Sequence, residues 1–157
     1  MPNVYEGELT SSSGRFAIVV SRYNESVTGK LHQGAVECLA SHGVADDAID
    51  VAWAPGAFEI PMVADRMASS GRYAAVICLG AVIRGETMHD QHINRAVSDA
   101  LMSISLRTGV PCLFGVLTCQ SLEQAIQRSG GRKGNKGAEC ASAALLMANL
   151  LPKLPSS

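Results

Sequence analysis

The chain has 157 residues, of which 47% are apolar and 17% charged, with a formal net charge of −1 at pH 7. That length suits a single unit with a real buried core, and the charge is too low for a self-repelling disordered chain. Near-neutrality excludes the electrostatic footprint of general nucleic-acid or anionic-membrane binding, and the longest apolar stretch, residues 74–83, is too short to span a bilayer.

Taken in chain order, residues 4–9 (VYEGEL) are a candidate for an additional strand, at a sheet edge or on a neighbouring chain. Residues 16–21 (FAIVVS) form a continuous β-branched run, the pattern of a strand buried on both faces. Leu31, Ala35 and Leu39 then recur at helical spacing, and Gly43 is placed to stop that helix. Residues 49–53 (IDVAW) alternate apolar and polar as a strand does. Pro61 suits the first turn of a second helix, which Gly71 closes. Residues 74–83 (AAVICLGAVI) are the next buried strand. Ile93, Ala96, Val97, Ala100, Leu101 and Ile104 make an apolar stripe closed by Gly109 and Pro111. Residues 112–117 (CLFGVL) are a fourth strand. Ser121 with Gln124 reads as a capping box for a shorter helix, and a last helix runs from about 138 to 151, where Pro152 stops it.

Strand and helix alternating about four times predicts parallel strands joined by right-handed crossovers, a doubly wound α/β sandwich with about four core strands. Ligands of such sheets bind beyond the carboxyl ends of the strands. The loops at 21–26, 54–59, 84–92 and 118–121 lie there, and they hold the unusual residues of the chain.

The first loop reads SRYNES. Its Tyr23 either stacks on a planar heterocycle or covers a helix end, and spacing alone does not separate the two. In the second, APGAFEIP, free N–H groups at a helix start suit hydroxyls or anions, while Glu59 alternatively only complements the helix dipole. The third, GAVIRGETMHDQH, follows the most buried strand. Gly85 permits close backbone approach and Thr87 sets a hydroxyl beside free N–H groups, a phosphate perch. His89 can move protons near neutral pH or be merely structural. His89 and His92 are three apart, but no third ligand and no HExxH pattern accompanies them, which argues against a metal. The segment 128–137 (RSGGRKGNKG) packs four cations among four glycines. It does not fit a nucleotide P-loop, because Lys136 precedes glycine, and it reads as a flexible basic loop, either clasping a phosphate ester or simply solvated.

Composition adds a hint about assembly. Aromatics are only 4%, against 21 alanines and 15 glycines, and the charged fraction is low for a small domain with so much surface. Burial of part of that surface against other copies of the chain would account for it. Five cysteines form no CxxC pair and sit in apolar or small-residue stretches, as reduced thiols in a reducing, cytoplasmic compartment do. No basic region followed by an apolar core opens the sequence, so no secretory signal is expected.

Together the ordered motifs RYNESVT, PGAFEIP, LGAVIRGET-x-H, FGVLT, EQAIQRSGG and GNKGAE resemble the lumazine synthase (6,7-dimethyl-8-ribityllumazine synthase) family, over about residues 16–151. The resemblance implies a flavodoxin-like sandwich and a cofactor- and metal-free condensation in riboflavin biosynthesis. Its substrates would be 5-amino-6-(D-ribitylamino)uracil and 3,4-dihydroxy-2-butanone 4-phosphate. Carried over by motif, Tyr23 would stack on the pyrimidine, where the family usually has Phe or Trp. Ala57, Phe58 and Glu59 would hold the ribityl chain, and the backbone at Val82 and Ile83 would meet the pyrimidine edge. Gly85, Glu86 and Thr87 would form the phosphate perch, completed by Arg128. His89 would be the proton shuttle, Lys136 would contact the pyrimidine, and Phe114 would arrive from an adjacent subunit. The resemblance further implies a homo-pentamer, and the short segment 130–136 leans toward a sixty-subunit shell. One departure stands out: after the histidine the family commonly has an aromatic, an acid and often another aromatic, whereas here Asp90, Gln91 and His92 follow. Two rival readings are a non-catalytic flavin carrier and a scaffold whose role is assembly; a carrier has no use for a phosphate site.

Overall fold

In the computed structural model, residues 1–11, 14–84 and 89–156 are described, with residue 89 described for its backbone alone. The elements follow in the order β1 (Arg15–Ser21), α1 (Glu25–Ser41), β2 (Ile49–Ala54), α2 (Ile60–Ser69), β3 (Tyr73–Ile83), α3 (His89–Thr108), β4 (Cys112–Cys119), α4 (Leu122–Gln127), β5 (Ser129–Gly131), β6 (Gly134–Asn135) and α5 (Lys136–Leu150). The four long strands form one parallel sheet in the order β2-β1-β3-β4. The chain therefore goes outward from β1 to β2, then crosses back to the other side for β3, leaving a switch point between β1 and β3.

The continuous apolar runs become strands because both faces of the sheet are covered. Phe16, Ile18 and Val20 point into one cluster with Leu31 and Leu39 of α1 and Leu145 of α5. Ala17 and Val19 point the other way, against Ile60 and Ala64 of α2 and Val97 and Leu101 of α3. This is the expected three-layer sandwich. Each fully buried Ile or Leu in it, such as Ile18 or Leu79, contributes about 1.5–3 kcal/mol. The helix stops match the sequence signals: α1, α2 and α3 run into Gly43, Gly71 and Gly109, all at positive φ. At the start of α4 the Ser121 hydroxyl accepts from the Gln124 N–H, while the Gln124 side chain accepts from the N–H of Gln120.

Two segments differ from the sequence expectation. Residues 4–9 add no edge strand to this chain's sheet, the first of their two expected placements; the carbonyls of Glu8 and Thr10 accept from the Asn149 amide and that of Glu6 from Lys153, so this segment runs along α5. The basic segment is a small antiparallel hairpin, β5-β6, rather than a featureless loop, and α5 begins at Lys136 because Asn135 caps it by accepting from the Ala138 N–H.

Candidate active site

The loops after β1 and β2 are stitched together by their backbones. The Arg22 N–H donates to the Ala54 carbonyl at 2.8 Å, and the Tyr23 N–H to that of Pro55 at 3.0 Å. The Tyr23 ring closes on Gly56, where a Cβ would come within 2.6 Å of ring atom Cδ2, so a larger residue there would have to displace the ring. Arg22 is held above Trp53 at 4.2 Å from the ring centre and pairs with Glu25 at 3.0 Å. Asn24 takes φ 63° and donates from its side-chain amide to the Ala81 carbonyl at 2.9 Å. The first loop is thereby tied to the carboxyl end of β3 as well.

The second loop turns through residues 57–59 into α2, whose first turn holds Pro61. The Gly56 N–H donates to Glu59 Oε1 at 3.0 Å, so this carboxylate caps the turn. It also lines a cavity of about 480 Å³, together with Tyr23, Ala57, Phe58 and, from α3, His92 and Ile93. Tyr23 and Phe58 are 68% and 63% exposed. Two bare aromatic side chains beside a carboxylate and an imidazole offer flat apolar area and polar contacts at once.

Strand β3 runs on past β1: its pairing with β1 stops at Leu79, whereas pairing with β4 continues to Ile83. Residues 80–83 are thus paired along one edge only, and the free edge faces the switch point. Val82 and Ile83 lie in this stretch, packed against the clusters on opposite faces of the sheet. Gly85, Glu86 and Thr87 lie outside the described residues, as does the side chain of His89, whose backbone opens α3. Its neighbour Asp90 is buried, with Oδ1 lacking a hydrogen-bond partner.

A second cavity, about 360 Å³, opens at the outer edge of β4. Thr118 lines it from the strand, Arg128 from the end of α4, Lys133 from the hairpin turn, and Lys136 and Glu139 from the first turns of α5. The hairpin is folded back to bring these cations together: the Lys133 N–H donates to the Gln127 carbonyl, the Arg132 N–H to Gln127 Oε1, and the Lys136 N–H to the Arg128 carbonyl, at 2.8–2.9 Å. The cavity carries three cations against one carboxylate and suits an anion. Beneath it, burial pushes the Cys140 thiol up to about 11 despite nearby Lys136, and burial also raises Cys78 and Cys112. All five cysteines are free thiols.

The structure thus gathers Tyr23, Ala57, Phe58 and Glu59 around one cavity and Arg128 and Lys136 around another. Phe114, half-buried on β4 and packed toward α2 and α3, lines neither of the two. Three placements are not written in the sequence: Asn24 ties the first loop to β3, His92 lines the ring cavity, and Lys133 lines the cationic one. Among the described residues no group of three or more His, Cys, Asp or Glu is placed to hold a metal, and no helix is long and apolar enough to cross a membrane.

A parallel sheet with a ring-lined cavity beyond its carboxyl ends and a cationic cavity at its edge defines a small-molecule-binding α/β protein. Within that class, the family described as 6,7-dimethyl-8-ribityllumazine synthase matches residues 13–152, and the chain belongs to it. The chain is accordingly a transferase of riboflavin biosynthesis, with small-molecule substrates and an oligomeric assembly implied by the family.

Proposed function

We propose that the chain condenses 5-amino-6-(D-ribitylamino)uracil with 3,4-dihydroxy-2-butanone 4-phosphate to 6,7-dimethyl-8-ribityllumazine. The observation that carries this reading is the pairing of two cavities of different chemistry, one lined by rings and a carboxylate, one cationic. A ring with a polyol chain suits the first, and a phosphate ester suits the second. In this reading Tyr23 stacks on the pyrimidine, Ala57, Phe58 and Glu59 hold the ribityl chain, and the backbone of Val82 and Ile83 meets the ring edge. Gly85, Glu86 and Thr87 hold the phosphate with Arg128, Lys136 contacts the ring, and Phe114 reaches the site from an adjacent copy.

The ring amine attacks the ketone and loses water to give an imine. Phosphate then leaves by elimination, and the ribitylamino nitrogen closes the second ring with loss of a further water. The amine and ketone react intrinsically, so the protein's main contribution is positioning, with His89 relaying protons. His89→Ala should therefore slow turnover by only about one or two decades. Complete loss of activity in a folded variant would assign His89 a larger chemical role. The direct test mixes the two substrates with purified protein and follows the product's fluorescence. Fluorescent product with release of inorganic phosphate is expected, and none from a well-folded sample would overturn the reading. The assembly proposed with it is a pentamer of single-unit chains in the cytoplasm, extended to a sixty-subunit shell, and sedimentation distinguishes the two sizes.

A further inference from the structure

We propose that Lys133 is a specificity-determining contact for the phosphate of the ketone substrate, acting beside Arg128; this rests on the reading that Arg128 holds that phosphate. A phosphate monoester carries close to two negative charges at pH 7. With Lys136 engaged by the ring, Arg128 alone supplies one positive charge, and Glu139 on the same cavity wall works against it. The dianion therefore calls for a second cation.

Lys133 is the group in place. It lines the Arg128 cavity, and backbone hydrogen bonds hold the turn that carries it. The Lys133 N–H is bonded to the carbonyl of Gln127 at 2.9 Å, next to Arg128 in the chain. The Arg132 N–H is held by the Gln127 side chain at 2.8 Å, which fixes the turn from its other side. Among the described residues the ion pairs belong to Arg15, Arg22, Arg107 and Lys153, so neither Arg128 nor Lys133 is already neutralised by a carboxylate. The two cations differ usefully in kind. The planar Arg128 guanidinium can grip two oxygens at once, whereas the Lys133 ammonium is a point charge on a flexible stem that follows the phosphate as it departs.

The test is steady-state kinetics of the full-length protein with Lys133→Gln, Lys133→Arg and Arg128→Gln, each substrate varied in turn, with inorganic phosphate as a competing probe. Lys133→Gln should raise KM for the phosphorylated ketone about three- to tenfold, the effect of a partly solvated charge contact, and weaken inhibition by phosphate equally. Its kcat and its KM for the aminouracil should stay near wild type, Lys133→Arg should restore most of the loss, and the effect should shrink as salt is raised. If Arg128→Gln raises that KM and Lys133→Gln does not, Lys133 is a solvated turn residue and the proposal fails while the phosphate reading stands. If neither variant changes it, the phosphate reading fails as well. A lowered melting temperature with both KM values raised would make Lys133 a structural part of the hairpin and overturn the proposal.

Discussion

At φ 63° Asn24 sits in the left-handed region, which costs asparagine less than other non-glycine residues, and from there its amide reaches the Ala81 carbonyl. Its own carbonyl accepts from the N–H groups of Val27 and Thr28, opening α1. One side chain thus sets the loop carrying Tyr23 against the end of the strand carrying Val82. Asn24→Gly keeps the backbone conformation and loses the tie, at about 1 kcal/mol. Asn24→Ala adds the left-handed strain, about 1–2 kcal/mol more. Asn24→Asp turns an acceptor toward a carbonyl and should raise KM for the aminouracil at least as much as glycine does. Thermal unfolding and KM measured side by side check the order, and an Asn24→Gly protein indistinguishable from wild type would remove the tie from the account. The loop was legible in the sequence because parallel sheets place ligands beyond their carboxyl ends. Asn24 was not, since neither its φ nor a partner 57 residues away is written locally. The cavity position of His92 is unreadable for a related reason: spacing places it on the face of His89, but only the fold shows Tyr23, Phe58 and Glu59 across the cavity.

Among the elements, the strands were legible because buried parallel strands need continuous apolar runs, and the helix ends because glycine stops are local chemistry. The hairpin β5-β6 was hidden, since its partners are the Gln127 backbone and side chain rather than any pattern of its own. Residues 4–9 carry a strand-like pattern, yet no strand of the same chain pairs with them. The helix pair α1 and α5 was equally unreadable in its closeness. At Gly137 a Cβ would fall 1.9 Å from the Leu31 carbonyl oxygen, and next to it the Asn135 amide donates to the Lys30 carbonyl. Gly137→Ala must push α5 off α1, costing roughly 1–3 kcal/mol and moving Lys136, so melting temperature and activity should fall together. An unchanged melting temperature would show that the helices can part freely. On the other side α1 packs His32 edge-on to Trp53, with Nδ1 buried and unpartnered, and burial holds this imidazole below its ordinary 6.5. The unfolded chain therefore takes up this proton first. The stability the neutral ring contributes is present above the ordinary value and lost as pH falls through and below it. Arg22 lies above the same indole, with Glu25 as its ion-pair partner. His32→Gln should show a shallower fall in melting temperature between about pH 7.5 and 5.5 than wild type. Equal slopes would move the pH dependence to another group.

Across the whole molecule, the low charge and surplus of small apolar residues meet a surface with large bare side chains. Met62 on α2 and Met102 and Leu106 on α3 are 78%, 63% and 79% exposed, and an apolar groove runs past Leu106, Leu113 and Met147. Faces of that kind are covered by partners, in keeping with the assembly the family implies. In the proposed function the two cavities would give that assembly a chemical purpose. Within one chain the ring-lined cavity lies beyond β1 and β2, whereas the cationic one opens at the far edge of β4, on the other side of β3. In the proposed reaction a substrate pair bound between copies would join the ring cavity of one to the cation cavity of the next, as in a heterologous ring contact. Co-assembly tests this directly. In the proposed site His89→Ala would spoil one half and Arg128→Ala the other, so each variant alone should be slow when the phosphorylated ketone is kept below its KM. If the halves come from different chains, unfolding and refolding the two variants together in equal amounts creates some sites in which both halves are intact. Random mixing makes these about a quarter of the total, and activity per chain should approach about a quarter of wild type. Activity no greater than the mean of the separately refolded variants would place both halves in a single chain, and the ring-lined and cationic cavities would then have to serve one substrate pair from within the same fold.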